Sequence, residues 1–275
     1  MAEVINLSAG VRANLLSLQR TSNQIGLVQN RLSTGLKVNS AIDDASAFFT
    51  SRALTNRASD LETVKSNLDL AISTLTAAVN GIDAITELVE QAKGLANNAK
   101  ATGDTNERST LAVQFNALLT QIDDLAGDAS FNGTNLLQAT PDSLEVAFNE
   151  DNSSNITVSG LDSTTGASGL NIAAATGAFA ADTDVNTSLT ALNSALTELR
   201  TNAATLGSNN SILQTRLTFT EDIVNTLEDG SGKLTLADLN EEGANLLALQ
   251  TRQQLGINSL ALASQSERSI LALFG

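Results

Sequence analysis

Apolar positions at the two ends of the chain recur in alternating steps of four and three. Leu7, Val11, Asn14, Leu18, Thr21, Ile25, Val28 and Leu32 mark the first stripe. A mean period of 3.5 residues keeps one helix face on a partner, so the spacing predicts a coiled-coil seam. Asn14 and Thr21 are polar, and polar seam residues weaken a pair while favouring one register. A looser stripe runs through Leu246, Leu249, Gln253, Ile257, Leu260, Ser264, Glu267, Leu271 and Phe274. A lone helix with half its surface apolar is marginal in water, so both ends are expected to be arms that require partners.

The first helix is predicted over about Val4 to Leu32, stopping near Gly35. Ser40 and Asp43 have capping-box spacing and predict the start of a short helix. The helical rhythm returns from Leu61 through Leu68, Leu75, Ile82 and Val89 to Leu95, and Gly103-Asp104 breaks it. A third helix carries Leu111, Phe115, Leu118, Ile122 and Leu125 and ends at Gly127. Residues 130–184 are rich in Ser, Thr, Asn, Gly and Asp. There Asn132-Gly133 signals a tight turn, 144–148 and 155–159 alternate as short strands, and Gly169 to Ile172 reads as a weaker third. Leu189 to Leu227 resumes the helical pattern, Glu228 to Gly232 reads as a turn, and a last helix starts between Leu236 and Leu239. The predicted architecture is mainly α: an elongated rod of long antiparallel helices with terminal coiled-coil arms and a small β-hairpin tip. Residues 1–40 with 238–275 would be the arms, 41–237 the rod, and about 130–184 a β excursion too small to stand alone.

Composition narrows the function. The 275 residues include no Trp or Tyr, and Pro141 is the single proline. A core of Leu, Ile, Val and Ala suits helix bundles. There is no Cys, which excludes disulfides, thiolate metal sites and thiol nucleophiles. There is no His, the commonest general base and metal ligand. The net charge of −15 is uneven: 1–57 hold six basic and three acidic residues, and 58–238 hold seven basic and twenty-four acidic. An acidic middle argues against nucleic acid, since phosphate neutralisation needs clustered Lys and Arg. No run of about 18 apolar residues is present, so no membrane span is expected. Met1 to Asn6 lacks the basic and apolar regions of a cleaved secretory signal.

Candidate chemistry is sparse. Asp43-Asp44 reads as acidic residues in a first helical turn, where the helix dipole favours them. Asp229 to Asp238 has the outline of a calcium loop, but Leu227 stands at the first ligand position and Asp238 where a bidentate Glu is needed. No phosphate-binding glycine loop occurs. No cofactor, metal site or enzymatic activity is expected. Asn152 to Ser168 could carry O-linked sugar were it to project into solvent.

Asn30-Arg31-Leu32-Ser33-Thr34-Gly35-Leu36-Lys37-Val38-Asn39-Ser40-Ala41-Ile42-Asp43-Asp44-Ala45 resembles the signature of bacterial flagellins, in particular at Arg31, Leu32, Ser33, Gly35, Asn39, Ser40, Asp43 and Asp44. Phe131-Asn132-Gly133-Thr134-Asn135-Leu136-Leu137 resembles the family's "FNG…LL" element. The stretches Leu247 to Leu255 and Ala263 to Phe274 resemble a flagellin C-terminus of the short alphaproteobacterial kind. The resemblance covers about 1–138 and 186–275. It implies a structural subunit that polymerises with identical or related copies into the extracellular flagellar filament for motility. It further implies export of the unfolded chain through the flagellar type III apparatus, an export chaperone, and assembly under a filament cap at the distal tip. Large outer domains are expected to be missing, since only 138–185 separate the two matching regions. A hook–filament junction protein shares related ends and is the nearest alternative; an acidic coiled-coil adaptor would explain the heptads but not the Gly35 signature. In relatives that activate the vertebrate flagellin receptor, a rod helix carries "QRVRELAVQ". The matching stretch here holds Gln91, Lys93, Gly94 and Leu95; Leu95 is kept, but Gln91 and Gly94 replace Arg and Glu. Weak receptor activation is expected.

Overall fold

The computed structural model describes residues 9–274, with side-chain surroundings to Ser269 apart from Glu267. Helix α1 spans Ala9–Thr34, α2 Ala45–Ala101, α3 Thr105–Asp128, α4 Asp182–Thr235 and α5 Leu239–Phe274. Four short strands lie between α3 and α4: β1 Ser130–Phe131, β2 Thr134–Asn135, β3 Ser143–Ala147 and β4 Asn155–Ser159. Residues 1–56 with 227–275 form one compact unit and 57–226 a second.

In the second unit, α2, α3 and α4 share one core. Leu68, Leu75, Ile82, Ile85 and Val89 of α2, Phe115 and Ile122 of α3, and Leu192, Leu199 and Leu206 of α4 are at most 1 % exposed. Lys65 of α2 pairs with Glu221 of α4 at 2.8 Å. Arg108 Nε at the start of α3 donates to Thr102 O just past the end of α2, and its Nη2 to Asp182 at the start of α4. Helices α3 and α4 therefore both run antiparallel to α2. One 18-residue window of α2 has a mean hydropathy of 1.3, enough by length and composition for a membrane helix. Its apolar residues recur at helical spacing and fill the bundle core, which accounts for them.

The Asn132-Gly133 turn forms with φ of 50° and 80°. Positive φ at both central residues is what a type I′ hairpin turn requires, and β1 pairs with β2 across it. Strands β3 and β4 pair antiparallel from Ser143↔Ser159 to Ala147↔Asn155. The expected third strand does not form. Asn171 has φ of 51°, and Leu170 and Ile172, 2 % exposed, dip into the bundle core. Two apolar residues two apart mimic a strand when an irregular segment touches a core twice. That segment does not project. It climbs back along α3 by successive contacts: Thr165 to Asp123, Ala175 N to Asn116 Oδ1, the Phe179 ring to Phe115, and the 179–180 carbonyls to Arg108.

Two further expectations change. Residues 228–232 are not a turn, because α4 continues to Thr235. Ser231 is buried there and bonds Ser51 Oγ at 2.8 Å and Thr55 Oγ1 at 3.0 Å. These contacts offset the roughly 1 kcal/mol that each helical glycine, Gly230 and Gly232, costs. The same helical continuity removes the calcium-loop outline. Helix α2 begins at Ala45, sixteen residues before the apolar rhythm at Leu61.

Candidate assembly surface

Helices α1 and α5 form an antiparallel pair. Arg31 Nη1 donates to Glu242 Oε1 at 2.8 Å, and further along Leu18 lies against Gly256. On α1, Val11, Thr21 and Val28 are buried and Asn14, Leu18, Ile25, Arg31 and Leu32 half-buried; every other α1 residue is exposed. Thr21 satisfies its hydroxyl on Ser17 O at 3.0 Å. Leu7 lies outside the described residues.

On α5, Leu246, Leu249, Gln253, Leu260 and Ser264 are half-buried. Ile257 is not: it is 47 % exposed, and Gly256 takes its place. A Cβ on Gly256 would come within 3.2 Å of Leu18 Cγ. The facing positions 246, 249, 253, 256, 260 and 263 keep strict three-four alternation. A glycine contributes no apolar mass to a sequence stripe, so the neighbouring Ile257 took its place in the periodic reading. The side chains of Leu271 and Phe274 lie outside the described surroundings.

The pair buries one stripe and leaves others bare. Of the fifteen large apolar residues exposed among those described, eleven belong to this unit: Leu15, Leu16, Leu27, Ile42, Phe49, Leu236, Leu239, Leu247, Leu255, Ile257 and Leu262. Leu247, Leu255 and Leu262 exceed 60 % exposure. Exposed apolar residues concentrated in one unit are what an interaction surface presents.

The signature residues hold the two linkers of this unit together. Gly35, at φ 72°, closes α1 by donating its N–H to Arg31 O at 2.8 Å, a left-handed stop that favours glycine. Gly35 O accepts from Ala237 N, and Lys37 N donates to Thr235 O. Lys37 Nζ donates to Lys233 O, near the carbonyl end of α4, where a cation is favourable. Ser33 is exposed beside this turn. The Ser40–Asp43 capping box does not begin a helix. Asp43 Oδ2 accepts from Ser40 N, Ser40 Oγ and Asn39 N, closing a loop, and Asp44 Oδ1 caps α2 through Ala47 N at 3.0 Å. The bond from Ser40 N, then those from its hydroxyl and Asn39 N, hold the Asp43 carboxyl below the ordinary value, with a smaller pull from Arg31.

Three positioning residues carry no periodic signal. Glu242 is 8 % exposed under Arg31. Arg108 joins the end of α2, the returning segment and the start of α4. Asn135, 4 % exposed, donates through Nδ2 to Ala126 O and Gly127 O and accepts at Oδ1 from Leu137 N and Gln138 N. It thus satisfies carbonyls at the end of α3. Elsewhere, Gln91, Gly94 and Leu95 line a groove between α2 and α3, with Lys93 half-buried beside them.

Residues 5–142 match the family model for the bacterial flagellin N-terminal helical region, and 189–274 that for the bacterial flagellin C-terminal helical region. The chain is 36 % identical over 271 residues to flagellin FljM of Caulobacter vibrioides, covering 98 % of each. It is 32 % identical over 285 residues to a flagellin of Brucella melitensis, covering 100 % of this chain and 99 % of the relative. The crystal structure of Bacillus cereus flagellin superposes with a TM-score of 0.50 at 21 % identity, over 56 % of this chain and 88 % of that one.

Proposed function

This chain belongs to the bacterial flagellin family, structural subunits of the extracellular flagellar filament, and on that premise we propose that its α1–α5 arm is the assembly surface. Identical or closely related copies cover the outward stripes, and residues 1–40 with 238–275 form the inner layer. The carrying observation is the concentration of exposed apolar residues in the terminal unit. A heterologous contact that does not close into a ring generates a helical polymer, and each added copy buries the stripe its predecessor left bare.

Seeded elongation followed by negative-stain microscopy tests this. The wild-type chain should extend filament fragments. Leu247→Gln with Leu255→Gln, both more than 60 % exposed on α5, should keep the monomer's thermal melt and lose elongation. Normal growth of that double variant would refute the assignment. The intramolecular seam is tested separately: Val11→Asp with Ile25→Asp should abolish growth while the second unit stays helical by circular dichroism.

The thin core of the arms supports folding coupled to assembly. That suits a subunit exported unfolded through the flagellar type III apparatus, held by an export chaperone and added under the cap. Hydrogen exchange should be fast in α1 and α5 of the free subunit and slow in the filament; equal protection in both would contradict the coupling. Gln91 and Gly94 in the altered receptor stretch support weak activation of the vertebrate flagellin receptor. Potent signalling by purified monomer in a reporter cell line would overturn that.

A further inference from the structure

Charge is segregated between the two units. Residues 57–226 hold seven basic and twenty-one acidic residues, a net of −14. Along the arm helices the sign reverses. Residues 9–36 hold Arg12, Arg20 and Arg31 with no Asp or Glu, and residues 243–266 hold Arg252 with none. The buried acid at the base of the arm, Glu242, already pairs with Arg31. Arg12, Arg20 and Arg252 are exposed, and no ion pair engages them among the described residues.

These cations are interleaved with exposed leucines. On α1, Arg12, Leu16, Arg20, Leu27 and Arg31 follow at steps of four, four, seven and four. Such steps keep them on one helix face, away from the buried Val11, Thr21 and Val28. On α5, Leu247, Leu255 and Leu262 recur eight and seven apart, each more than 60 % exposed. The two helices share a groove of about 390 Å³, lined by Leu27 and Arg31 of α1 and by Ala248 and Arg252 of α5 among others. With three arginines in its 26 residues, α1 is suited to lie along an apolar–polar boundary rather than to cross one.

We propose that in the free subunit the arginine- and leucine-bearing face of the α1–α5 pair docks on an anionic phospholipid bilayer. Guanidinium groups donate paired N–H bonds to phosphate, and their apolar stems lie along the boundary. Leu16, Leu27 and Leu255 enter the acyl edge beneath. Nucleic acid offers the same phosphates but no apolar layer, and residues 9–36 and 243–266 hold no aromatic residue on which a base could stack. A second arm would bury the leucines yet bring arginines of its own. An anionic surface with an apolar interior satisfies both kinds of residue. The same surface repels the second unit, which leaves the arms to make the contact. The proposal goes beyond the filament reading: neighbouring copies and a bilayer compete for the same leucines, so binding belongs to the unassembled chain.

Vesicle co-sedimentation of the unassembled full chain, with no seeds present, tests this. Vesicles of equal parts phosphatidylglycerol and phosphatidylcholine should pull the chain down, and phosphatidylcholine alone should bind at least about ten-fold more weakly. Raising salt from about 0.1 M to about 1 M should release it. Arg20→Gln with Arg252→Gln should melt as the wild type does and bind at least about ten-fold more weakly; Arg20→Lys with Arg252→Lys should keep most of the binding. Wild-type binding by the glutamine variant, or equal loss in the lysine variant, would overturn the proposal. Equal pelleting with both vesicle types, or without vesicles, would assign the face to self-association and overturn it too. Equal affinity for polyuridylate would assign it to nucleic acid instead. Because no seed is present, a failure here is distinct from a failure to elongate, which bears on the filament reading alone.

Discussion

At the residue scale, the signature is explained by partners in space more than by neighbours in sequence. Glu242 is nearly buried and Arg31 about a third exposed, so their pair is partly screened. Arg31→Ala would leave the Glu242 carboxylate without its cation. After allowance for solvent screening, this should cost about 1–2 kcal/mol of arm stability, read as faster amide exchange in α1 and α5. Asp43 has a sign that can be worked out. Its folded value lies below the ordinary 3.8, so the unfolded chain takes up the proton first. The stabilisation is fully present above that ordinary value and lost as pH falls through the lowered folded one. Amide protection of Asn39 and Ser40 should vanish in that acid range, and Asp43→Ala should remove it at every pH. Asn135 offers a sharper case because its bonds are buried. Asn135→Ala strands two carbonyls and two N–H groups and should cost about 2–4 kcal/mol in a thermal melt. These roles were only half legible in the sequence. The motif named Gly35, Asp43 and Asn135, but a motif does not say which strand of chain will lie opposite.

At the element scale, the α1 seam was legible because its apolar residues are also its contact residues. The α5 seam was legible only in part, because contact there passes through Gly256. Substitutions separate packing from propensity at that position. Gly256→Ala gains helix propensity but presses on Leu18 from 3.2 Å, so the two effects should nearly cancel, within about 0.5 kcal/mol. Gly256→Leu should overpack and cost about 1–3 kcal/mol. A melt in which Leu stabilised the chain would show that the pair is not held at this spacing. The continuity of α4 through Gly230-Ser231-Gly232 teaches the same lesson in reverse. Local propensity argued for a turn, and a buried hydroxyl network to Ser51 and Thr55 prevailed.

At the scale of the whole molecule, two units divide the labour. One has a deep core shared by three helices. The other has a single buried stripe and an apolar exterior, the surface proposed above to be covered by further copies. The charge distribution adds a condition on assembly. Each copy carries −15, and the screening length falls from roughly 30 Å at 0.01 M salt to about 8 Å at 0.15 M. Seeded elongation should therefore accelerate over that range; a rate that fell with added salt would indicate that attraction between opposite charges drives the contact instead.

Periodicity alone determined that the chain is built from long helices, where α3 begins, and which face of α1 meets a partner. Those features are local, set by 3.5- and 3.6-residue repeats and by residues that stop helices. The tertiary structure decided what local pattern cannot encode. It set the partner register of α5 through a glycine and docked the 161–181 segment along α3. It carried α4 past its glycines and joined the two linkers through Gly35 and Lys37. In each case the deciding energy comes from atoms far apart in the chain, where packing and buried hydrogen bonds outweigh the few tenths of a kilocalorie per residue that separate local conformational preferences.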